Sequence, residues 1–203
     1  MKKTKKSEVT EIKYSPSGEV VAIGSKDSLI HLLSVSGGYK HIGACRGHTS
    51  HVRSVDFSEN GKYLRSCDAS KELLHWDVES GQRLNQSIVY RNLTWKTQSC
   101  VYGWGLQGIH NKIDTSGKGQ QVAPDTDISC VCRHGKLVVA ASSIQHSALK
   151  CFDYPVLSNA VPTQYGGHSS SVQDVLFIDT SKGVRLVSAG GVDSCLCLWD
   201  LDS

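Results

Sequence analysis

The chain has 203 residues, of which 39% are hydrophobic and 20% charged, and its formal net charge is +3. These values are typical of a folded chain with one or two domains, and they exclude a wholly disordered or collagen-like protein. The sequence has no run of 18 apolar residues, and no apolar segment follows the charged N-terminus. It therefore predicts a cytoplasmic protein with no membrane segment and no secretory signal.

The basic charge of the chain is concentrated in residues 1–7. The four lysines there are Lys2, Lys3, Lys5 and Lys6. Such a charge run predicts a disordered basic tail, which is either simply solvated or in contact with an acidic partner. The rest of the chain is close to neutral, and this disfavours nucleic acid as a partner.

An internal repeat organises the remaining residues. Residues 9–35 align with residues 52–78 without a gap, at an offset of 43. A third copy begins at Gly167, and a weaker fourth copy occupies residues 127–155. Each copy contains short alternating apolar runs separated by a polar turn with glycine, which is the pattern of short β-strands joined by turns. The sequence therefore predicts an all-β protein without amphipathic helices.

A period near 43 residues, opened by Gly-His and closed by Trp-Asp, is typical of a four-stranded propeller blade. The pairs Gly47-His48 and Trp76-Asp77, and later Gly167-His168 and Trp199-Asp200, resemble WD repeats. We therefore predict a WD-repeat β-propeller fold of about four blades after the tail. The predicted parts are blade 1 (residues 8–45), blade 2 (46–90), an insert plus blade 3 (91–166) and an incomplete blade 4 (167–203).

In WD repeats a histidine, a serine and an aspartate link to the closing tryptophan, whose buried indole N–H needs an acceptor. The resemblance assigns His48, Ser66 and Trp76 to this relay in blade 2, with Ser70 in place of the aspartate. In blade 4 it assigns His168, Asp193 and Trp199, with Ala189 in place of the serine. Blade 1 retains only Asp27. Both relays are thus expected to be partial.

The eight cysteines and nine histidines raise the question of metal binding or catalysis. The pairs Cys130–Cys132 and Cys195–Cys197 have a spacing shorter than most zinc motifs, and in a strand each pair lines one face. The glycine-rich run at residues 103–108 lacks the lysine of a phosphate-binding loop, and no paired-histidine or nucleophile motif appears. The sequence therefore predicts free thiols, no metal, no cofactor and no enzymatic activity.

The insert carries a closer resemblance. Its aromatic, cysteine and glycine residues, followed by a Thr-Asp-Ile run, resemble the insert of the echinoderm microtubule-associated protein-like family. The matching residues are Trp95, Ser99, Cys100, Gly103, Gly108, Thr126, Asp127 and Ile128. The run at residues 164–177 and the double glycine at residues 190–191 are also similar to that family's last blade. The resemblance covers about residues 8–201.

The resemblance implies a non-catalytic scaffold that binds tubulin or microtubules and organises the cytoskeleton. Family members have two joined propellers, and many add a coiled coil and a basic linker; this chain resembles only the last four blades, and it has no heptad run. The alternative is a generic WD-repeat adaptor for another protein complex. The candidate contact residues are the tail lysines Lys2, Lys3, Lys5 and Lys6 and the aromatic residues Trp95, Tyr102 and Trp104. These aromatic residues could instead pack inside the insert.

Only four residues follow Trp199, so blade 4 lacks the length for a fourth strand. The charged N-terminal residues are poor in β-forming side chains and are not expected to supply it. The sequence therefore predicts an open ring with apolar blade edges, which would promote self-association or the binding of another chain.

Overall fold

The computed structural model describes residues 7–85, 90–110, 128–142, 148–181 and 183–201. Fifteen strands in these residues form four antiparallel sheets, so the predicted all-β WD-repeat fold is confirmed. The four tail lysines, and Thr126 and Asp127 of the family motif, lie outside the described residues.

The first compact unit spans residues 1–102 and contains two four-stranded sheets. Within each sheet every strand pairs with its neighbour in the sequence. The strands of sheet 1 are β1 (Val9–Tyr14), β2 (Val20–Ser25), β3 (Leu29–Ser34) and β4 (Lys40–Arg46). Those of sheet 2 are β5 (Val52–Phe57), β6 (Tyr63–Asp68), β7 (Leu73–Asp77) and β8 (Arg83–Leu84).

The second compact unit spans residues 103–203. It begins with two short 3-10 turns over Trp104–His110, which are separated by a break at Leu106. Sheet 3 contains β9 (Ile128–His134), β10 (Leu137–Ser142), β11 (Ala148–Asp153) and β12 (Thr163–Gly166). Sheet 4 contains β13 (Val172–Thr180), β14 (Gly183–Gly190) and β15 (Leu196–Asp200). In the described residues sheet 4 therefore has three strands.

Alternation of side chains builds the core of each unit, because every second residue of a strand points to the same face. Sheets 1 and 2 bury one shared cluster that includes Ile30, Leu32, Phe57, Leu64 and Trp76. Sheets 3 and 4 bury a second cluster, in which Val139 and Leu149 meet Val172, Val175 and Leu186.

The repeated turn glycine has a conformational reason. Gly18 has φ 75° and Gly61 has φ 69°, a left-handed conformation that costs most other residues energy. These two glycines are aligned by the 43-residue offset, and each lies in the hairpin between the first two strands of its sheet.

The two cysteine pairs differ in the structure. Cys130 and Cys132 are both buried in β9 and belong to the second core cluster. Cys195, however, is exposed in the turn before β15, whereas Cys197 lies inside that strand. The prediction that both pairs line a strand face is wrong for the second pair, because β15 begins only at Leu196.

Candidate functional site

The relay of sheet 2 is centred on Ser66. The indole Nε1 of Trp76 donates a hydrogen bond to Ser66 Oγ at 2.7 Å, and His48 Nε2 lies 2.6 Å from the same oxygen. Leu64 pairs with Trp76 across β6 and β7, so Ser66, two residues further along β6, shares a face with the indole. Since Trp76 is fully buried, this bond satisfies a donor that has no access to water.

The relay of sheet 4 is complete, and one sequence assignment is corrected. Trp199 Nε1 donates to Ser188 Oγ at 2.8 Å, and His168 lies 2.7 Å from that oxygen through Nε2 and 3.0 Å from Asp193 through Nδ1. The serine position is Ser188, whereas the sequence alignment placed Ala189 there. The turn between β14 and β15 is one residue longer than the turn between β6 and β7, so counting back from the tryptophan by the sheet 2 spacing misses the position.

The relay of sheet 2 also has a carboxylate, which comes from Asp68 instead of the turn position Ser70. Asp68 Oδ2 lies 3.3 Å from His48 Nδ1. Asp68 pairs with Val52 in sheet 2, and Gly190 pairs with Val172 in sheet 4. Asp68 and Gly190 therefore occupy equivalent positions. A Cβ added at Gly190 would collide with Asp193 Oδ1. The glycine thus makes room for a turn carboxylate in sheet 4, whereas in sheet 2 the strand itself supplies it.

Asp27 does not belong to a tryptophan relay. Its Oδ2 lies 3.0 Å from Nε2 of His31, and its Oδ1 accepts a hydrogen bond from the Leu29 backbone N–H. These contacts stabilise the hairpin between β2 and β3. The tryptophan position of sheet 1 is Leu33, which has no N–H to satisfy, so the expected relay role of Asp27 is wrong.

A buried carboxylate, missed by the sequence analysis, anchors the insert on sheet 2. Asp56 is fully buried and accepts hydrogen bonds from Thr97 Oγ1 at 2.6 Å, the Ser99 N–H at 2.8 Å and the Cys100 N–H at 3.0 Å. Arg65 also pairs with it through Nε at 3.1 Å. Burial alone would raise the pKa of Asp56, but the Arg65 charge and the bonds from the insert lower that pKa below its ordinary value.

The three candidate aromatic residues of the insert have different surroundings. Trp95 is half-buried, with the Arg65 guanidinium carbon 4.6 Å from its ring centroid and the His75 ring 5.8 Å away. Tyr102 is also half-buried. Trp104 is 44% exposed and precedes Gly105, whose carbonyl accepts a hydrogen bond from the Val156 N–H at 2.8 Å. Trp104 therefore presents a large aromatic surface on a segment that is held to the chain after β11.

His75 provides a test of the packing beneath the insert. It is buried, stacks on Tyr90 at 5.6 Å and faces Trp95, and burial together with the Arg65 charge lowers the pKa of its imidazole to about 4. The unfolded imidazole titrates near 6.5. The neutral ring is therefore favoured in the folded state, and its contribution to stability is lost as the pH falls from about 6.5 towards 4.

We expect the free energy of unfolding to fall by about 2 kcal/mol more in the wild type than in His75→Phe between pH 7 and pH 5. Phenylalanine retains the ring contacts and cannot titrate, so the difference between the two chains isolates this group. Urea denaturation at the two pH values measures it. Equal pH dependence in both chains would contradict the assigned pKa.

No helix in the part of the chain that the structure describes is long and apolar enough to cross a bilayer. Antiparallel sheets with a buried tryptophan–serine–histidine relay define the chain as a WD-repeat β-propeller protein. The family model described as the echinoderm microtubule-associated protein second beta-propeller matches residues 1–201. The chain therefore belongs to this family, and the resemblance found in the insert is confirmed.

Curated relatives agree with this assignment. The chain is 34% identical over 198 residues to human echinoderm microtubule-associated protein-like 3, covering 95% of this chain and 21% of that protein. It is 30% identical over 197 residues to human echinoderm microtubule-associated protein-like 2, covering 95% of this chain and 28% of that protein. The chain thus spans less than a third of the length of these relatives.

Comparison with a solved structure supports the fold of the chain, and it carries no conclusion about function. The WD40 repeats of RRP9 superimpose with a TM-score of 0.51 at 20% sequence identity, covering 98% of this chain and half of that chain.

Proposed function

We propose that the chain is a non-catalytic WD-repeat scaffold that associates with tubulin or microtubules and takes part in organising the cytoskeleton in the cytoplasm. The observation that carries this proposal is the match of residues 1–201 to the second propeller of a family named for microtubule association. Because the chain spans 21% of human echinoderm microtubule-associated protein-like 3, the association is proposed for the blades themselves.

Exposed aromatic side chains support a protein partner. Trp104 is 44% exposed and lies on a segment fixed by backbone hydrogen bonds to Val156. A tryptophan held in this way loses little conformational entropy on binding and contributes a large contact area, which is the profile of an interface anchor. Trp95 is engaged with Arg65 and His75, so it is the weaker candidate for contact with a partner.

The state of the buried thiols supports a non-catalytic role. Burial raises the pKa of Cys45 to about 12, and burial also raises the pKa values of Cys100 and Cys132 well above the ordinary thiol value. A nucleophilic cysteine requires an accessible thiolate. These three side chains instead act as small hydrophobic groups in the cores of the two units.

Tail charge is expected to strengthen the binding of microtubules. Replacing Lys2, Lys3, Lys5 and Lys6 together by glutamine should weaken binding at low salt and flatten its salt dependence, because fewer counter-ions are exchanged. Cosedimentation at two ionic strengths measures both effects. A matched control replaces four exposed lysines that lie between strands, Lys26, Lys62, Lys71 and Lys136. If the tail variant binds microtubules at low salt as tightly as the wild type, the tail lysines do not contribute to binding.

Self-association through sheet 4 is a further part of the proposal. Leu176, Leu196 and Leu198 share one face of this sheet, and each is more than half exposed. Light scattering of the purified chain at micromolar concentration should show dimers or larger species. Replacing Leu196 and Leu198 by threonine should shift the distribution towards monomer. A monodisperse monomer in the wild type would contradict this prediction.

A further inference from the structure

One face of sheet 1 points away from sheet 2 and carries exposed apolar side chains. Tyr14, Val21 and Leu33 form a row across β1, β2 and β3 on this face. Ile12 lies on the same face two residues before Tyr14, and both side chains are more than half exposed. The Tyr39 hydroxyl lies 3.0 Å from that of Tyr14, which adds a second exposed aromatic ring. We call this surface the outer face of sheet 1.

The 43-residue repeat shows how the equivalent row packs in sheet 2. The three residues of the row correspond, in order, to Phe57, Leu64 and Trp76. These form a row across β5, β6 and β7, and none of them is more than 1% exposed. They are buried because they pack on sheet 1, where they share a core cluster with Ile30 and Leu32. The outer face of sheet 1 is therefore the counterpart of a face that is covered in sheet 2.

A second exposed apolar surface belongs to sheet 4. Leu176, Val187 and Leu198 form a row across β13, β14 and β15. Leu196 lies on the same face two residues before Leu198 and is 77% exposed. The second core cluster lies on the opposite face of this sheet, with Leu186. We call the surface formed by the row and Leu196 the exposed face of sheet 4.

The two leucines of β15 have buried counterparts in sheet 1. Leu198 and Leu196 lie one and three residues before the relay tryptophan Trp199. The same two places in sheet 1, counted back from its tryptophan position, hold Leu32 and Ile30. Leu32 and Ile30 are buried because sheet 2 packs over them. The exposed face of sheet 4 is thus the counterpart of the face that sheet 2 covers.

Charged groups lie beside the apolar rows and do not interrupt them. On the exposed face of sheet 4, Arg185 pairs with Asp200 at 2.7 Å, so these two charges compensate each other, and Asp174 is exposed beside the row. On the outer face of sheet 1, His31 lies 3.0 Å from Asp27. An apolar centre with charged groups around it is the arrangement of a protein–protein interface.

We propose that the chain associates head to tail, with the outer face of sheet 1 of one copy packed on the exposed face of sheet 4 of a second copy. This contact repeats the packing of sheet 2 on sheet 1, which buries the equivalent rows within each chain. The proposal rests on the self-association part of the proposed function and is independent of tubulin binding. Because two different surfaces meet, a dimer still carries one surface of each kind and binds further copies unless the contacts close a ring.

Two double variants each remove one of the two surfaces. Ile12→Lys/Tyr14→Lys places two charges on the outer face of sheet 1, and Leu196→Lys/Leu198→Lys places two charges on the exposed face of sheet 4. All four side chains are more than half exposed and lie outside both core clusters, so the replacements leave the cores intact. Far-UV circular dichroism verifies that both variants are folded.

The matched control is Leu157→Lys/Val161→Lys, which adds the same charges at two exposed apolar residues between β11 and β12. Light scattering at micromolar concentration should show dimers or larger species for the wild type and the control, and monomers for each surface variant alone. An equimolar mixture of the two surface variants should form a dimer of twice the monomer mass that does not grow further, because one complementary pair of surfaces remains in the mixture.

Three results would overturn the proposal. The first is a monomeric wild type, and the second is a mixture of the two folded variants that stays monomeric. The third is a dimer of the sheet 1 variant alone, because such a dimer would show that sheet 4 pairs with itself. Self-association through sheet 4 would then stand, whereas the head-to-tail contact would not.

A second measurement uses the wild type alone and does not depend on the folding of a variant. Hydroxyl radicals oxidise exposed side chains, and mass spectrometry locates the oxidised residues. Raising the protein concentration into the associated range should lower the oxidation of both Tyr14 and Leu198 severalfold and leave that of Val161 unchanged. Protection of Leu198 without protection of Tyr14, or protection of neither residue, would also overturn the proposal.

Discussion

Replacement of Trp76 by alanine is expected to lower the free energy of unfolding by about 3–5 kcal/mol, which is the usual cost of removing a buried aromatic ring. Trp76 is fully buried, and its ring touches the backbone at Gly47 closely enough that a Cβ there would lie 3.2 Å away. Neighbouring groups therefore have little freedom to fill the cavity. Denaturant midpoints provide the measurement.

Three related replacements should lower the free energy of unfolding by less than Trp76→Ala does. Trp199 is only half-buried, so Trp199→Ala should cost less than Trp76→Ala. His48→Ala mainly removes hydrogen bonds, at a cost of about 1–3 kcal/mol. Trp104→Ala is the control, since that ring is 44% exposed and lies outside both core clusters. A larger cost for His48→Ala than for Trp76→Ala would contradict this order.

Replacement of Asp56 by alanine is expected to cost about 3–5 kcal/mol, because it leaves Arg65 buried without its partner. It also removes the acceptor for the N–H groups of Ser99 and Cys100, so the insert loses part of its attachment to sheet 2. The denaturant midpoint should therefore fall, and trypsin should cleave after Lys96 more rapidly than in the wild type.

Two further variants separate the charge effect from a general loss of stability. Asp179→Ala removes an exposed carboxylate and should leave both measurements unchanged. The double variant Asp56→Asn/Arg65→Met leaves no buried unpaired charge and should recover part of the lost stability. An unchanged midpoint in Asp56→Ala would show that Asp56 does not anchor the insert.

The strands and turns could be predicted because their signals are local. Alternation in residues 52–57 and the left-handed glycines Gly18 and Gly61 depend on neighbours within a few positions. The 43-residue repeat then extended the pattern from one sheet to another.

The relays could be predicted only in part because their members depend on register between strands. Ser66 lies 10 residues before Trp76, whereas Ser188 lies 11 residues before Trp199, so the turn between β14 and β15 is one residue longer than that between β6 and β7. That difference places the serine at Ser188 and not at Ala189. Asp68 was missed because an equivalent carboxylate can reach the histidine from either the strand or the turn.

The anchor of the insert could not be predicted, since Asp56 and Ser99 are 43 residues apart in the chain. The available signal was an acidic residue between the apolar residues Val55 and Phe57 of a strand. A charge in that position requires a partner, but the sequence does not say which of several basic residues supplies it.

Binding of the purified chain to tubulin tests the proposed function most directly. Sedimentation with stabilised microtubules and gel filtration with soluble tubulin distinguish binding to the lattice from binding to the free subunit. We expect saturable association in at least one of these measurements, weakened by Trp104→Ala and not by Tyr165→Ala, which removes a similarly exposed aromatic side chain. Failure of the wild-type chain to associate in either measurement would contradict the proposal and favour a generic WD-repeat adaptor for another complex.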